Sequence, residues 1–347
     1  MSYYKKLNKV YTAQFQKPPE FWNKRSIPKG QILYHKKNFS KYFALPIKNF
    51  KNKKVLETGA GGGIHAVILA LMYAEVHAAD ILNSNVSKIR KLKKIYKLNN
   101  LTVSQHDFRN DYNKENFFDL ISCHNWIQHS PNPGFILKKL IKKMKVGGRL
   151  YISTYQAGTF RFFINQLARA VLKFDDVKKL KKRTPKFFPI GFKVYKNPLF
   201  ISYNIMRDDF FTPYCVSTNY SELLKLTKSC NLKPITKIPQ IKKLIYKDDV
   251  PMRMGFVKTS KENKFVKSKY FSAPIDEFRK SSCKIKNECI KLSKKIIIDF
   301  KRKSSSSDRI NLCLNLYKIR SKYSRSSTNE KYKELKNLLA NLKIKKI

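Results

Sequence analysis

Apolar residues along this chain fall into short continuous runs and into stripes at helical spacing, and over the middle of the sequence the two alternate. Runs at 54–58, 75–80, 101–106, 118–124 and 149–155 read as buried strands bounded by Gly, Asn, Asp or Lys. Between them the spacing predicts helices at about 64–74, 84–98 and 133–145. The last carries a stop signal, since Lys142, Lys143 and Lys145 precede Gly147-Gly148 and suit a helix C-terminus. Strand alternating with helix is the rhythm of βα units, which predicts an α/β fold on a largely parallel sheet. A helix at 221–230 and strands near 232–238 and 251–259 complete that sheet.

The flanks differ in pattern. Residues 1–50 are polar and aromatic, and Phe39, Tyr42 and Phe43 mark a helix that stops at Pro46. It reads as a lead-in helix packed on the edge of the next domain. Residues 156–215 break the βα rhythm with aromatics, cations and scattered prolines (Pro185, Pro189, Pro198, Pro213). So long an excursion after the fifth strand predicts a partly helical cap rather than a plain loop. After Lys261, Ile285, Cys289, Leu292, Ile296 and Phe300 recur at helical spacing up to a serine breaker at 304–307. A second helix carries Ile310, Leu314 and Tyr317, and a third Leu335, Leu338 and Leu342. One apolar stripe per helix implies docking on the preceding domain or self-association, with a basic arm for an anionic partner as the alternative. The expected division is a lead-in at 1–50, a domain at 51–261 with a cap insertion at 156–215, and a basic helical extension at 262–347.

Composition changes this picture in one respect. With 42% apolar and 13% aromatic residues among 347, the chain buries a substantial core and is not a disordered polymer. The net charge of +51 is extreme and broadly spread, with one relatively neutral segment at 201–250. It suits a nucleic acid or an anionic membrane surface, yet 60 Lys against 14 Arg is also what a basic, AT-rich composition produces without such a partner. Six cysteines show no CxxC pair and no paired spacing with His, so neither a metal site nor a disulfide framework is expected. The N-terminus has no apolar h-region, and the longest apolar run, 66–74, is too short to span a bilayer. The expected location is cytoplasmic.

Candidate chemistry gathers in Val55-Leu56-Glu57-Thr58-Gly59-Ala60-Gly61-Gly62-Gly63-Ile64-His65. A strand running through glycines into a helix lets the backbone approach a cofactor without Cβ obstruction, beside the positive end of the helix. A dinucleotide fingerprint needs a third glycine where Ile64 stands; the spacing here is G-x-G-x-G, with Glu57 two positions ahead. Asp80 ends the second run, 17 residues past Gly63, and Asp107-Phe108 follows the third.

These segments, taken in order, resemble motif I and its successors in the class I S-adenosylmethionine-dependent methyltransferases. The stretch Phe118 to Pro131, with His124 and His129, is similar to the ubiquinone-biosynthesis-like branch of that family. The resemblance spans about 100 residues, with Val146 in place of the usual Pro before Gly147-Gly148. It implies a Rossmann-like seven-stranded sheet with helices on both faces and S-adenosyl-L-methionine as cofactor. In that frame Glu57 faces the donor's amino group, Gly59, Gly61 and Gly63 floor its site, and Asp80 with Ile81 takes the ribose hydroxyls. Asp107 meets the adenine amino group, Phe108 packs on the ring, and His124 completes the wall. The competing reading makes Asp80 and Asp107 helix caps, Glu57 a buried structural carboxylate and the glycines a tight turn.

Methyl transfer from a sulfonium needs alignment and water exclusion more than help for the leaving group, so these motifs identify the donor and not the acceptor. A hydroxyl acceptor also needs a base, for which His129 is the candidate. His124 and His129 are the histidines expected in the site wall. The cap offers Arg161, Phe162, Phe163, Lys186, Phe187, Phe188 and 208–214, either as an acceptor surface or as its own core. The branch resemblance implies a small-molecule or sugar acceptor. An RNA methyltransferase using its basic surface is the alternative, and a non-catalytic binding or assembly protein on the same fold is a third reading.

Overall fold

The computed structural model describes residues 27–173, 175–187, 209–236, 252–260, 284–322 and 327–342. The chain forms α1 (Lys29–Phe43), β1 (Lys54–Thr58), α2 (Ile64–Ala70), β2 (Glu75–Asp80), α3 (Asn83–Ile95), β3 (Leu101–Gln105) and β4 (Phe118–His124). There follow α4 (Pro133–Lys142), β5 (Met144–Thr154), α5 (Phe160–Val171), α6 (Asp176–Phe187), α7 (Tyr220–Lys228), β6 (Leu232–Pro234) and β7 (Met252–Lys258). The chain continues through α8 (Lys284–Lys303), α9 (Ser306–Lys322) and α10 (Thr328–Asn341).

The seven strands make one sheet in the order β3-β2-β1-β4-β5-β7-β6. The first five pair in parallel, and β7 runs antiparallel to both its neighbours. The central strands β1 and β4 are buried on both faces and carry nearly continuous apolar sequence, whereas β3 at the sheet edge is mostly exposed. One face packs α1, α2 and α3 through Phe39, Phe43, Val67, Ile68 and Ile89. The other packs α4 and α7 through Ile136, Leu137, Leu140, Leu223 and Leu226. Strand order reverses between β1 and β4, and in open α/β sheets the crevice beyond the carboxyl ends at such a switch point is where ligands sit.

Three expectations need correction. Helix α1 covers a face of the sheet, not its edge: Phe39 and Phe43 are buried, and Tyr42 stacks on Tyr151 of β5 at 4.9 Å. The Arg149 guanidinium donates to the Phe43 and Ala44 carbonyls at the helix end, satisfying groups that helix termini leave open. Gly147-Gly148 does not end α4, which stops at Lys142; it lies inside β5, where the register against β4 shifts between Phe118 and Leu120. The glycines therefore accommodate a bulge.

The third correction concerns α9. Its expected stripe was Ile310, Leu314 and Tyr317, but Leu312, Cys313 and Leu316 are buried as well. A helix enclosed on several sides has no single apolar face for periodicity to find. It is enclosed because the extension packs with the cap into one core, joining Phe160, Phe163, Ile164 and Leu167 of α5 to Ile310, Leu314 and Leu335. Buried arginines near both ends of α9 fix the contact. Arg309 makes a two-pronged pair with Asp176 of α6 (2.7 and 2.9 Å), and Arg320 reaches Asp209 at 2.6 Å. The outer residues of the 232–238 and 251–259 strands, residues 1–26 of the lead-in, Cys283, and the side chains of Lys186, Phe187, Phe188 and Asp208 lie outside the described residues. Among the described residues no helix is long and apolar enough to cross a membrane.

Candidate functional site

A cavity of about 470 Å³ opens at the carboxyl ends of β1, β2 and β4. Glu57, Gly59, Gly61, Gly63, Asp80, Ile81, Asp107, Phe108, His124 and His129 all line it. The turn from β1 into α2 holds Gly59 at φ 56° and Gly61 at φ 52°, the left-handed region that side chains rarely adopt. At Gly59 a Cβ would lie 2.3 Å from Cγ of Trp126, whose indole N–H donates to Thr58 Oγ1 at 2.9 Å. At Gly61 a Cβ would meet nothing nearer than the Gly59 carbonyl at 3.9 Å, so this part of the floor faces open cavity.

Asp80 orders the turn. One carboxylate oxygen accepts from the Gly61 N–H at 2.8 Å, the other from the Leu82 N–H at 2.9 Å and the Asn85 amide at 3.1 Å. Burial pushes its pKa up despite those three donors. Asp80 is not the N-cap of α3, since Leu82 holds that position. Glu57 is 2% exposed; its Oε1 lies 3.5 Å from His65 Nδ1, while Oε2 is buried with no hydrogen-bond partner. A buried carboxylate oxygen without a donor costs several kcal/mol on the order of a lost charged hydrogen bond, so this atom is prepared for a donor arriving in the cavity. Asp107 is already engaged, because the Arg109 guanidinium forks onto both its oxygens and the Arg109 N–H donates at 3.0 Å. Burial raises the Asp107 carboxyl, but Arg109 outweighs it and holds the pKa below the usual range.

His129, Tyr155, Arg161 and Asp209 also line the cavity. The Thr212 hydroxyl donates to the Tyr214 carbonyl at 2.9 Å and lies 3.0 Å from His129 Nδ1, itself 3.2 Å from that carbonyl. In a neutral ring this arrangement favours the tautomer with the proton on Nδ1. The His129 ring packs edge-on against Tyr155 at 5.4 Å, and the Tyr155 hydroxyl donates to Asp209. Asp209, fully buried, also pairs with Arg161 at 3.4 Å and Arg320 at 2.6 Å. Burial alone would raise its pKa; Arg161 and Arg320, with the Tyr155 hydroxyl, bring it down to about 2.

Arg161 and Asp209, which the sequence offers as part of a possible acceptor surface, both line the cavity. Sequence reading missed Tyr155, directly after β5, and Trp126, which line it as well. His124 and His129 are not the sole histidines there: His35, His65 and His106 line the cavity too. His35 belongs to a helix outside any motif, and His65 follows directly on the glycines, where its proximity to the site was legible. Among the described residues no group of three or more His, Cys, Asp or Glu is arranged to hold a metal ion.

A glycine turn at a switch point, with carboxylates from β1 and β2 beside it, is an arrangement of the Rossmann-like fold class. Over residues 49–186 this chain matches the family model described as a methyltransferase domain. It is 27% identical over 114 residues to a ubiquinone biosynthesis O-methyltransferase of Hydrogenovibrio crunogenus, covering 32% of this chain and 46% of the relative. It is 31% identical over 106 residues to the protein of that name from Aliivibrio fischeri, covering 29% and 44%. The matched region thus spans less than half of these curated relatives. Among solved structures it is similar, at 12% identity and a TM-score of 0.44, to the 1,6-didemethyltoxoflavin-N1-methyltransferase of Burkholderia thailandensis, covering 74% of this chain and 89% of that one.

Proposed function

We propose that this chain is an enzyme transferring a methyl group from S-adenosyl-L-methionine to a small-molecule or carbohydrate-like acceptor. The observation that carries the reading is Glu57 Oε2, a buried carboxylate oxygen lacking a donor at the end of a cavity floored by glycine backbone. A donor's amino group meets that need. The cavity volume falls in the range of small-molecule sites. Asp80 is fixed by three donors yet still faces the cavity, as a ribose-binding carboxylate must. Phe108 and Trp126, with ring centroids 5.5 Å apart, offer apolar surface for a purine. Asp107 shares its oxygens with Arg109, so an adenine amino contact there would be made in competition with the guanidinium.

When bound, S-adenosylmethionine supplies a methyl group on a sulfonium that departs as a neutral thioether. The chain's part is alignment and dryness. His129 Nε2 takes the proton from a hydroxyl acceptor as the oxygen attacks, and the Thr212 and Tyr214 contacts hold its tautomer. Tyr155, pinned by Asp209, walls the ring of His129 and orients the acceptor. The relatives' names support an oxygen acceptor of small size. Arg161 and Asp209 line this end of the cavity, and α5 packs with α8, α9 and α10.

The test is incubation with methyl-labelled S-adenosylmethionine and separated small-molecule and RNA fractions of a cell extract. Label in the small-molecule fraction is the expected result. Label in RNA transfers the reading to the basic surface, and donor binding with label in neither leaves a non-catalytic binding protein.

A further inference from the structure

Three histidines from separate elements meet at the Glu57 end of the cavity. His65 stands in the first turn of α2, His35 in α1 and His124 at the end of β4. His65 Nε2 lies 3.2 Å from His35 Nδ1, and the His65 ring packs edge-on against His124 at 4.3 Å and against His35 at 4.6 Å. Its other nitrogen faces Glu57 Oε1 at 3.5 Å. Burial, with His65 and Arg253 nearby, lowers the pKa of His35 to about 3, and burial holds that of His124 well below its ordinary value. A neutral His35 has one donor and one acceptor nitrogen. With His35 Nδ1 as the donor to His65 Nε2, a neutral His65 carries its proton on Nδ1, the nitrogen that faces Glu57.

The consequence concerns the carboxylate's two oxygens. His65 stands against Oε1, while Oε2 is buried without a hydrogen-bond partner in a residue that lines the cavity. Helix α1 lies outside the region matching the methyltransferase model, at 49–186, yet it delivers the ring that orients His65. We propose that His65 and His35 are positioning residues for Glu57, so that α1 helps the site distinguish ligands bearing an amino-acid end from bare nucleosides. The inference rests on the donor reading above and extends it to His35, which no motif contains. Neither histidine is needed to touch the ligand.

The test is calorimetry on the full chain with two probes, S-adenosylhomocysteine and 5′-methylthioadenosine, which shares the adenosyl thioether but lacks the amino-acid end. In His65→Phe and His35→Phe the affinity for S-adenosylhomocysteine should fall about tenfold, roughly 1.4 kcal/mol, with 5′-methylthioadenosine changed less than about twofold. His65→Asn, whose amide nitrogen replaces Nδ1, should recover most of the loss. Equal losses for both probes, or none for either, overturn the proposal. If the Phe variants do not fold, His65→Ala and His35→Ala carry the same comparison of probes. An unmodified chain that binds both probes equally also overturns it while leaving a nucleoside site. Binding of neither overturns the donor reading itself.

Discussion

Replacing Arg320 by Met removes one of the two guanidinium groups that hold Asp209 ionised inside the protein. Burial works against that charge, and the two arginines together with the Tyr155 hydroxyl overcome it, bringing the pKa from the ordinary 3.8 to about 2. At roughly 1.4 kcal/mol per pKa unit the folded state gains about 2 to 3 kcal/mol from the ionised carboxylate. Breaking a buried pair typically costs about 3 to 5 kcal/mol, and retention of Arg161 at 3.4 Å moves the expectation to the low end. We therefore expect Arg320→Met to lose about 2 to 3 kcal/mol in urea unfolding at pH 7. The sign with pH follows from a depressed folded-state pKa. The contribution is present above about pH 4 and is lost as the pH falls through 2, so the variant's acid limb should begin at higher pH than the wild type's. A double-mutant cycle with Asp209→Asn isolates the pair, and the two losses should be strongly non-additive. A loss below about 0.5 kcal/mol, the level of an ordinary surface substitution, would refute the claim that α9 anchors this wall.

Other consequences are more direct. Gly59→Ala places a methyl group against Trp126 in a left-handed backbone, so stability should fall by about 1 to 3 kcal/mol and tryptophan emission should shift; an unchanged melting curve and spectrum would contradict the packing. Removing residues 284–347 uncovers Phe160, Phe163, Ile164 and Leu167 and strands Asp176 and Asp209, so the truncated chain should bind a hydrophobic dye and aggregate on gel filtration. A monodisperse truncated protein with unaltered donor affinity would show the extension to be an appendage. His129→Gln should leave S-adenosylhomocysteine affinity within about twofold and slow methyl transfer by about a hundredfold or more; equal transfer rates would remove His129 as the base.

The βα core was legible because it obeys local rules. Strands buried on both faces give unbroken apolar runs, and the elements from 54 to 124 begin and end within a few residues of their expected places. The glycine turn was legible for the same reason, since a strand, four glycines and a helix leave few geometries open. What escaped was non-local. Nothing near Asp209 announces Arg320, more than a hundred residues later, and the scattered apolar positions of α9 conceal a helix surrounded by protein. Gly147-Gly148 misled because glycine ends helices more often than it relieves a bulge. His35 was invisible as a site residue, for its meaning depends on α1 crossing the sheet face to meet α2.

The central claim is that the crevice bounded by the glycine turn and Asp80 holds an adenosyl ligand. Titration of S-adenosylhomocysteine into the full chain and into Asp80→Ala measures this directly. Saturable one-to-one binding below millimolar concentration, weakened at least tenfold in the variant, is the predicted result. No heat at millimolar ligand, or equal affinity for both proteins, would contradict it.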